Sequence, residues 1–167
     1  GSRMRKSLFI LLFLVCGLLI QTGCATRVSP GYAGIKINYS GTYRGVQDIP
    51  VVTGWQWYTP FFSTVLEYPT FVQTAKWEGP ESITFNSKED LGVTAAISVS
   101  YQIEHSKVPA FYVKFRSDNL ENFSHGFFHN VTRDMFNEVG GQFSIEGLMG
   151  PEKERFLKEV RDRVNKF

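Results

Sequence analysis

The sequence predicts an α+β chain of two lobes behind an apolar leader. A signal segment is expected at 1–24, a β-rich first lobe at 25–79 and an α/β second lobe at 80–150; the helix at 151–167 begins a coiled coil. Three observations carry this. Apolar residues alternate with polar ones, with period two, only upstream of about residue 103. Beyond Val108 the apolar spacing becomes helical. Gly-Pro steps punctuate the chain at Gly79-Pro80 and Gly150-Pro151.

The N-terminus sets the compartment. Gly1-Ser2 reads as a tag remnant and is set aside. Arg3, Arg5 and Lys6 surround Met4, and Leu8 to Ile20 then run without a charge, apolar apart from Gly17. A basic region, an apolar core and small residues at its end make a secretory signal. A span of the hydrocarbon core needs about 20 apolar residues, and this run is short for that. The end of the segment, Thr22-Gly23-Cys24, resembles a bacterial lipobox, in which the cysteine is lipidated and becomes the mature N-terminus; Gln21 stands where that pattern prefers leucine. The alternative is an uncleaved signal anchor in which Cys24 is only a small apolar residue. Acyl chains contribute about 0.8 kcal/mol per buried CH₂, so one chain binds marginally and two hold stably. Either way the expected place is a bacterial cell envelope, with the domain membrane-anchored on the exported, periplasmic or outer side.

Composition removes several function classes. Both cysteines, Cys16 and Cys24, lie in the leader, so the folded part carries no thiol nucleophile, disulfide or zinc thiolate. Downstream of Cys24 stand 15 basic and 16 acidic residues, with no basic patch of the kind nucleic-acid binders show. The 144 residues from Cys24 onward suffice for one substantial core or two small ones.

Along the chain, Ala25 to Pro30 is expected as a short tether. Ile35, Ile37 and Tyr39 alternate with Lys36, Asn38 and Ser40 as a half-buried strand; Ser40-Gly41-Thr42 is a turn, and a second strand is expected within Tyr43 to Val52. Gly54 to Phe62 is expected as an aromatic loop, and Val65 to Thr74 as a strand broken at Pro69. Val93, Ala95, Ile97, Val99, Tyr101 and Ile103 hold every odd position of a long strand with one face on a core. Val108, Phe111, Tyr112 and Phe115 make the stripe of a short helix. Leu120, Phe127, Val131, Met135 and Val139 make that of a longer one ending at Gly140-Gly141. After Pro151, Leu157, Val160, Val164 and Phe167 are spaced three, four and three apart, a heptad seam still running at the last residue and expected to mediate oligomerisation.

Candidate chemistry is sparse. His125 and His129 would share a helix face, but Gly126 sits where a zinc hydrolase keeps its glutamate, and no third ligand can be nominated. No G-x-S-x-G, Walker or G-x-G-x-x-G signature occurs. No catalytic residue, metal or other cofactor is therefore expected. Asp48, Glu67 and Asp118 read as solvated carboxylates, and the N-x-S/T triplets at Asn38, Asn122 and Asn130 would matter only in a eukaryotic secretory pathway. The unusual stretch is the aromatic one. Trp55, Trp57, Tyr58, Phe61 and Phe62 fall within eight residues, with Pro60 among them. Trp and Tyr favour the water–bilayer interface, where the ring is apolar and its N–H or O–H stays wet. Membrane contact and plugging of the first lobe are the two readings of this stretch.

Together these segments resemble the SPFH (band 7) domain of stomatins, prohibitins, flotillins and the bacterial HflK and HflC pair, over about Val28 to Phe167. The residues that carry the likeness begin with Ser29-Pro30-Gly31-Tyr32-Ala33-Gly34-Ile35, the family's proline, turn and first strand. Gly54-Trp55, Pro60-Phe61 and Val65 follow in the family's order, then Tyr68-Pro69 and Gln73-Thr74. Ser87-Lys88-Glu89-Asp90, the strand from Val93 to Tyr101-Gln102-Ile103, Arg133-Asp134 and Phe143-Ser144-Ile145-Glu146 continue in register. The lipobox-like start departs from the pattern, since many members begin with a transmembrane helix or hairpin. The resemblance implies a first lobe that dips its aromatic edge into the bilayer. It also implies a non-catalytic scaffold that assembles with itself or related SPFH chains around a membrane patch and controls membrane proteins, a membrane protease among them. A monomeric lipoprotein module binding one envelope partner is the alternative, and a histidine-dependent metal hydrolase the remaining one.

Overall fold

The structure, a computed structural model, describes residues 2–20, 23–39 and 49–167. Gln21-Thr22 of the lipobox-like end, the turn at Ser40-Gly41-Thr42, most of the strand expected before Val52, and Asp48 lie outside the described residues. Mixed helices and sheets make the chain α+β. It divides into two compact units: Gly1–Thr70 with Glu104–Asp118, and Phe71–Ile103 with Asn119–Phe167.

The first unit opens with helix α1 (Ser2–Ile20). Its residues Leu8 to Leu14 are largely exposed, although no helix among the described residues is long and apolar enough to cross a membrane. Strand β1 (Cys24–Val28) follows where a tether was expected, and β2 (Tyr32–Asn38) after it. Strands β3 (Val51–Val52), β4 (Gly54–Tyr58) and β5 (Ser63–Pro69) complete two antiparallel sheets, β1-β4 and β3-β2-β5. Helix α2 (Val108–Phe115) belongs to this unit. Among the described residues, Val28, Ala33, Ile35, Tyr68, Val108 and Pro109 are buried in it. The Tyr68 hydroxyl donates to the Ser117 carbonyl at 2.5 Å, and its ring meets Phe111 edge-on at 5.8 Å. That contact is why 104–118, assigned by its sequence position to the second lobe, returns to the first.

The second unit is a bent hairpin covered by helices. Strand β6 (Gln73–Trp77) pairs with β9 (Ile97–Tyr101), and β7 (Ile83–Asn86) with β8 (Gly92–Ala95). Trp77 opposes Ile97 and Ile83 opposes Ala95, so 78–82 loops out across from Ala96. The Gly79-Pro80 step is thus a bend inside one hairpin and not a lobe boundary. The long alternating strand is likewise broken at Ala96 and ends at Tyr101. Its odd-numbered residues Val93, Ile97, Val99 and Tyr101 pack, partly buried, on the core.

The expected long helix is three pieces: α3 (Leu120–Phe123), a π-type turn at Ser124–Phe128 and α4 (His129–Gly140). One extra residue per turn rotates the stripe. Phe127 becomes exposed while Ser124 is buried and Phe128 packs on Trp77 at 5.5 Å. Helix α5 (Ile145–Leu148), capped by Ser144, precedes α6 (Lys153–Val164). Phe85, Phe136, Phe143 and Phe156 form a ring cluster, with Phe156 within 5.5 Å of the other three.

Candidate membrane-facing site

The aromatic stretch is a strand and a tight turn. Antiparallel pairing sets Cys24 opposite Tyr58, Ala25 opposite Trp57 and Arg27 opposite Trp55. Directly opposed side chains share a face. Trp55 and Trp57 therefore lie with Ala25 and Arg27 on one side of a two-stranded ribbon, and Cys24 lies with Tyr58 on the other. The rings are not core: Trp55 is 67%, Trp57 68% and Phe62 57% exposed, and Tyr58 is half-buried. Plugging of the first lobe is thereby limited to Tyr58.

Between β4 and β5 only 59–62 turns the chain. The Thr59 carbonyl accepts from the amides of Phe62 and Ser63 at 3.1 and 3.0 Å, and the buried Ser63 hydroxyl accepts from the Thr59 amide at 3.0 Å. A turn this tight puts one residue in the left-handed region, and that residue is Phe61, with φ of 73°. Glycine or asparagine suits such a position, whereas a bulky residue there costs about 1–2 kcal/mol. The Phe61 ring is 94% exposed, so packing gives no return for that strain. Strain of this kind collects at functional positions.

Two residues not singled out from the sequence join this end. The Tyr39 amide donates to the Phe62 carbonyl at 2.8 Å, and its ring is exposed. Alternation had assigned Tyr39 an inward face. Its place at the close of an apolar strand, beside a turn, is where an interfacial tyrosine would be sought. Lys36 donates from Nζ to the Trp57 carbonyl at 3.0 Å. Cys24, Tyr39, Trp57, Tyr58, Phe61 and Phe62 thus collect at one end of the first unit, with Trp55 two residues back along the ribbon.

The expected oligomerisation seam lies in the other unit and is split. Val160 is buried beside Phe156, and Val164 packs partly against the same core; Leu157 and Phe167 stay exposed. The seam is corrected accordingly: Val160 is occupied by its own unit because Phe156, left out of the heptad, turns that face of α6 inward. Arg163 further ties α6 to Glu138 of α4 and to Glu159. Leu157 and Val164 line a groove of about 720 Å³ between α6 and β9.

The two histidines converge on one residue. His125 Nδ1 lies 2.8 Å from Glu81 Oε1, and His129 Nε2 lies 2.7 Å from the Glu81 carbonyl, to which it donates. They clasp the looped-out bend of the hairpin. No cluster of three metal-ligating side chains occurs among the described residues.

Mixed sheets and helices, with the aromatic rings of one end displayed outward, define an α+β domain that presents an apolar edge. Residues 26–167 match the SPFH domain / Band 7 family, and the chain belongs to that family. The family is in general one of membrane-associated scaffolds that self-associate. Among curated proteins no relative matches the chain.

Proposed function

We propose that the protein is an envelope-tethered SPFH scaffold. Its first unit rests the aromatic ribbon on a bilayer, and copies associate side by side there to organise a membrane patch or regulate membrane proteins such as proteases. The observation that carries this is the pairing of Cys24 with Tyr58. β1 begins at the lipidation candidate itself, so an acyl anchor on Cys24 would join the fold without a linker, at the end where Phe61 and Phe62 are displayed. In an uncleaved chain the exposed apolar surface of α1 would hold the same end to the membrane instead. Assembly would use Leu157 on the exposed flank of α6 and Phe167 just beyond its end, and not the buried Val160.

Expression of the full chain in bacteria with labelled fatty acid should mark the protein, and Cys24→Ser should remove the label. Cross-linking in the membrane should give a multimer ladder that Leu157→Asp shortens. One observation favours the second reading, a monomeric lipoprotein module: Val160 is spent on its own core. A chain that is only monomeric in the membrane would establish that reading instead.

A further inference from the structure

The ribbon carries charge as well as rings, and the charge has one sign. Between Cys24 and Leu66 the sequence holds Arg27, Lys36 and Arg44 against a single acid, Asp48. From Glu67 onward it holds 12 basic and 15 acidic residues. The charge balance of the chain therefore reverses just beyond the aromatic stretch at 55–62.

Two of these cations lie beside the aromatic strand. Arg27 is exposed, faces the same side as Trp55 and Trp57, and stands directly across from Trp55. Lys36 is fixed beside Trp57 by its bond to that residue's carbonyl. Neither pairs with a carboxylate among the described residues. Arg27 is three residues from Cys24, about 10 Å at strand rise. A guanidinium there can reach headgroup phosphates of a bilayer that holds an acyl chain on Cys24. Indole rings at the interface and cations one step behind them complement a surface of apolar tails and anionic headgroups.

We infer that the ribbon is a seat for an anionic bilayer, with Arg27 and Lys36 selecting phospholipids of net negative charge. This rests on the membrane-contact reading above but can fail separately from it. The test is the tryptophan emission of the full chain reconstituted in vesicles of phosphatidylcholine alone, or mixed with phosphatidylglycerol. Trp55 and Trp57 should shift to the blue in the anionic vesicles, and added salt should reverse the shift. Each cation near a charged surface changes the seated population about fivefold, so Arg27→Gln and Lys36→Gln together should lower it about 25-fold. Buried Trp77 serves as the internal check that the variants remain folded. Equal shifts in both compositions, or an undiminished shift in the double variant, would overturn the charge selection and leave membrane contact standing. No shift in either composition would overturn both.

Discussion

Both units are rich in aromatic rings, and they use them in opposite ways. In the second unit Phe85, Phe136, Phe143 and Phe156 close on one another, and Trp77 is fully buried against Phe128 and His129. In the first, Trp55, Trp57, Phe61 and Phe62 point away from the fold, which is held by small and aliphatic residues around Tyr68. A ring contributes to folding only when its neighbours close over it. Truncating the clustered rings of the second unit should therefore unfold it, while truncating the outward rings of the first should spare the fold and change what it touches.

The largest effect separating the two should come from Phe156→Ala. Loss of a ring that touches three others is expected to cost about 3–5 kcal/mol, read as a lowered denaturant midpoint. Trp55→Ala with Trp57→Ala should stay within about 0.5 kcal/mol of the parent in the same experiment. If the two variants unfolded alike, the contrast would collapse.

Next in size is Gly34→Ala. A Cβ at Gly34 would meet Val28 Cγ2 at 2.5 Å and the Val52 carbonyl at 3.0 Å. Overpacking of this kind costs about 1–3 kcal/mol, and here it would loosen β1 and the ribbon from β2. Phe61→Gly should act the other way. Relief of the left-handed strain is expected to raise stability by about 1 kcal/mol, while vesicle contact weakens. A variant that is both more stable and fully membrane-competent would remove the functional meaning given to Phe61.

The smallest expected effects are in pH, with one limb for each unit. Burial, then the nearby Tyr112 and Asp118, pushes the Tyr68 phenol well above its ordinary range. Its contribution is complete below the ordinary tyrosine value near 10, and is lost as pH rises from there towards the folded value. In the second unit the Ser87 hydroxyl, followed by backbone amides including that of Ile145, holds Glu89 below the usual carboxylate range. That contribution is present above the ordinary glutamate value of about 4.3, and is lost as pH falls through the lower folded one. Melting temperature against pH should therefore flatten on the alkaline side in Tyr68→Phe and on the acid side in Glu89→Gln. Unchanged limbs in either variant would refute the assignment.

These contrasts also explain what could be read from residues alone. The alternation at Val93 to Tyr101 and the helical stripe at Val108 to Phe115 were legible because one face of each meets a core. The strand character of Cys24–Val28 was not, since only Val28 is buried and Ala25-Thr26-Arg27 shows no apolar period. Its partner Gly54–Tyr58 was hidden for a related reason: rings on its open face mimic a disordered aromatic loop. The return of 104–118 to the first unit depends on Tyr68 reaching Ser117, a contact 49 residues apart that no local pattern encodes. In the heptad at the C-terminus, spacing identified a helix but could not say that Phe156 would claim Val160 for its own unit. The aromatic candidates were visible by composition, whereas Arg27 acquired meaning only through the ladder that sets it across from Trp55, and Lys36 through its bond to the Trp57 carbonyl.

In the proposed function the Cys24 end of the first unit sits on lipid. The most direct measurement uses bilayers containing both neutral and anionic lipid, with bromine-labelled acyl chains, and follows the three tryptophans of the reconstituted full chain. Trp55 and Trp57 should be quenched, most strongly by bromine placed near the headgroups, and Trp77 should be untouched. Absence of quenching at Trp55 and Trp57 in a chain that still floats with the vesicles would show tethering without contact and contradict the claim.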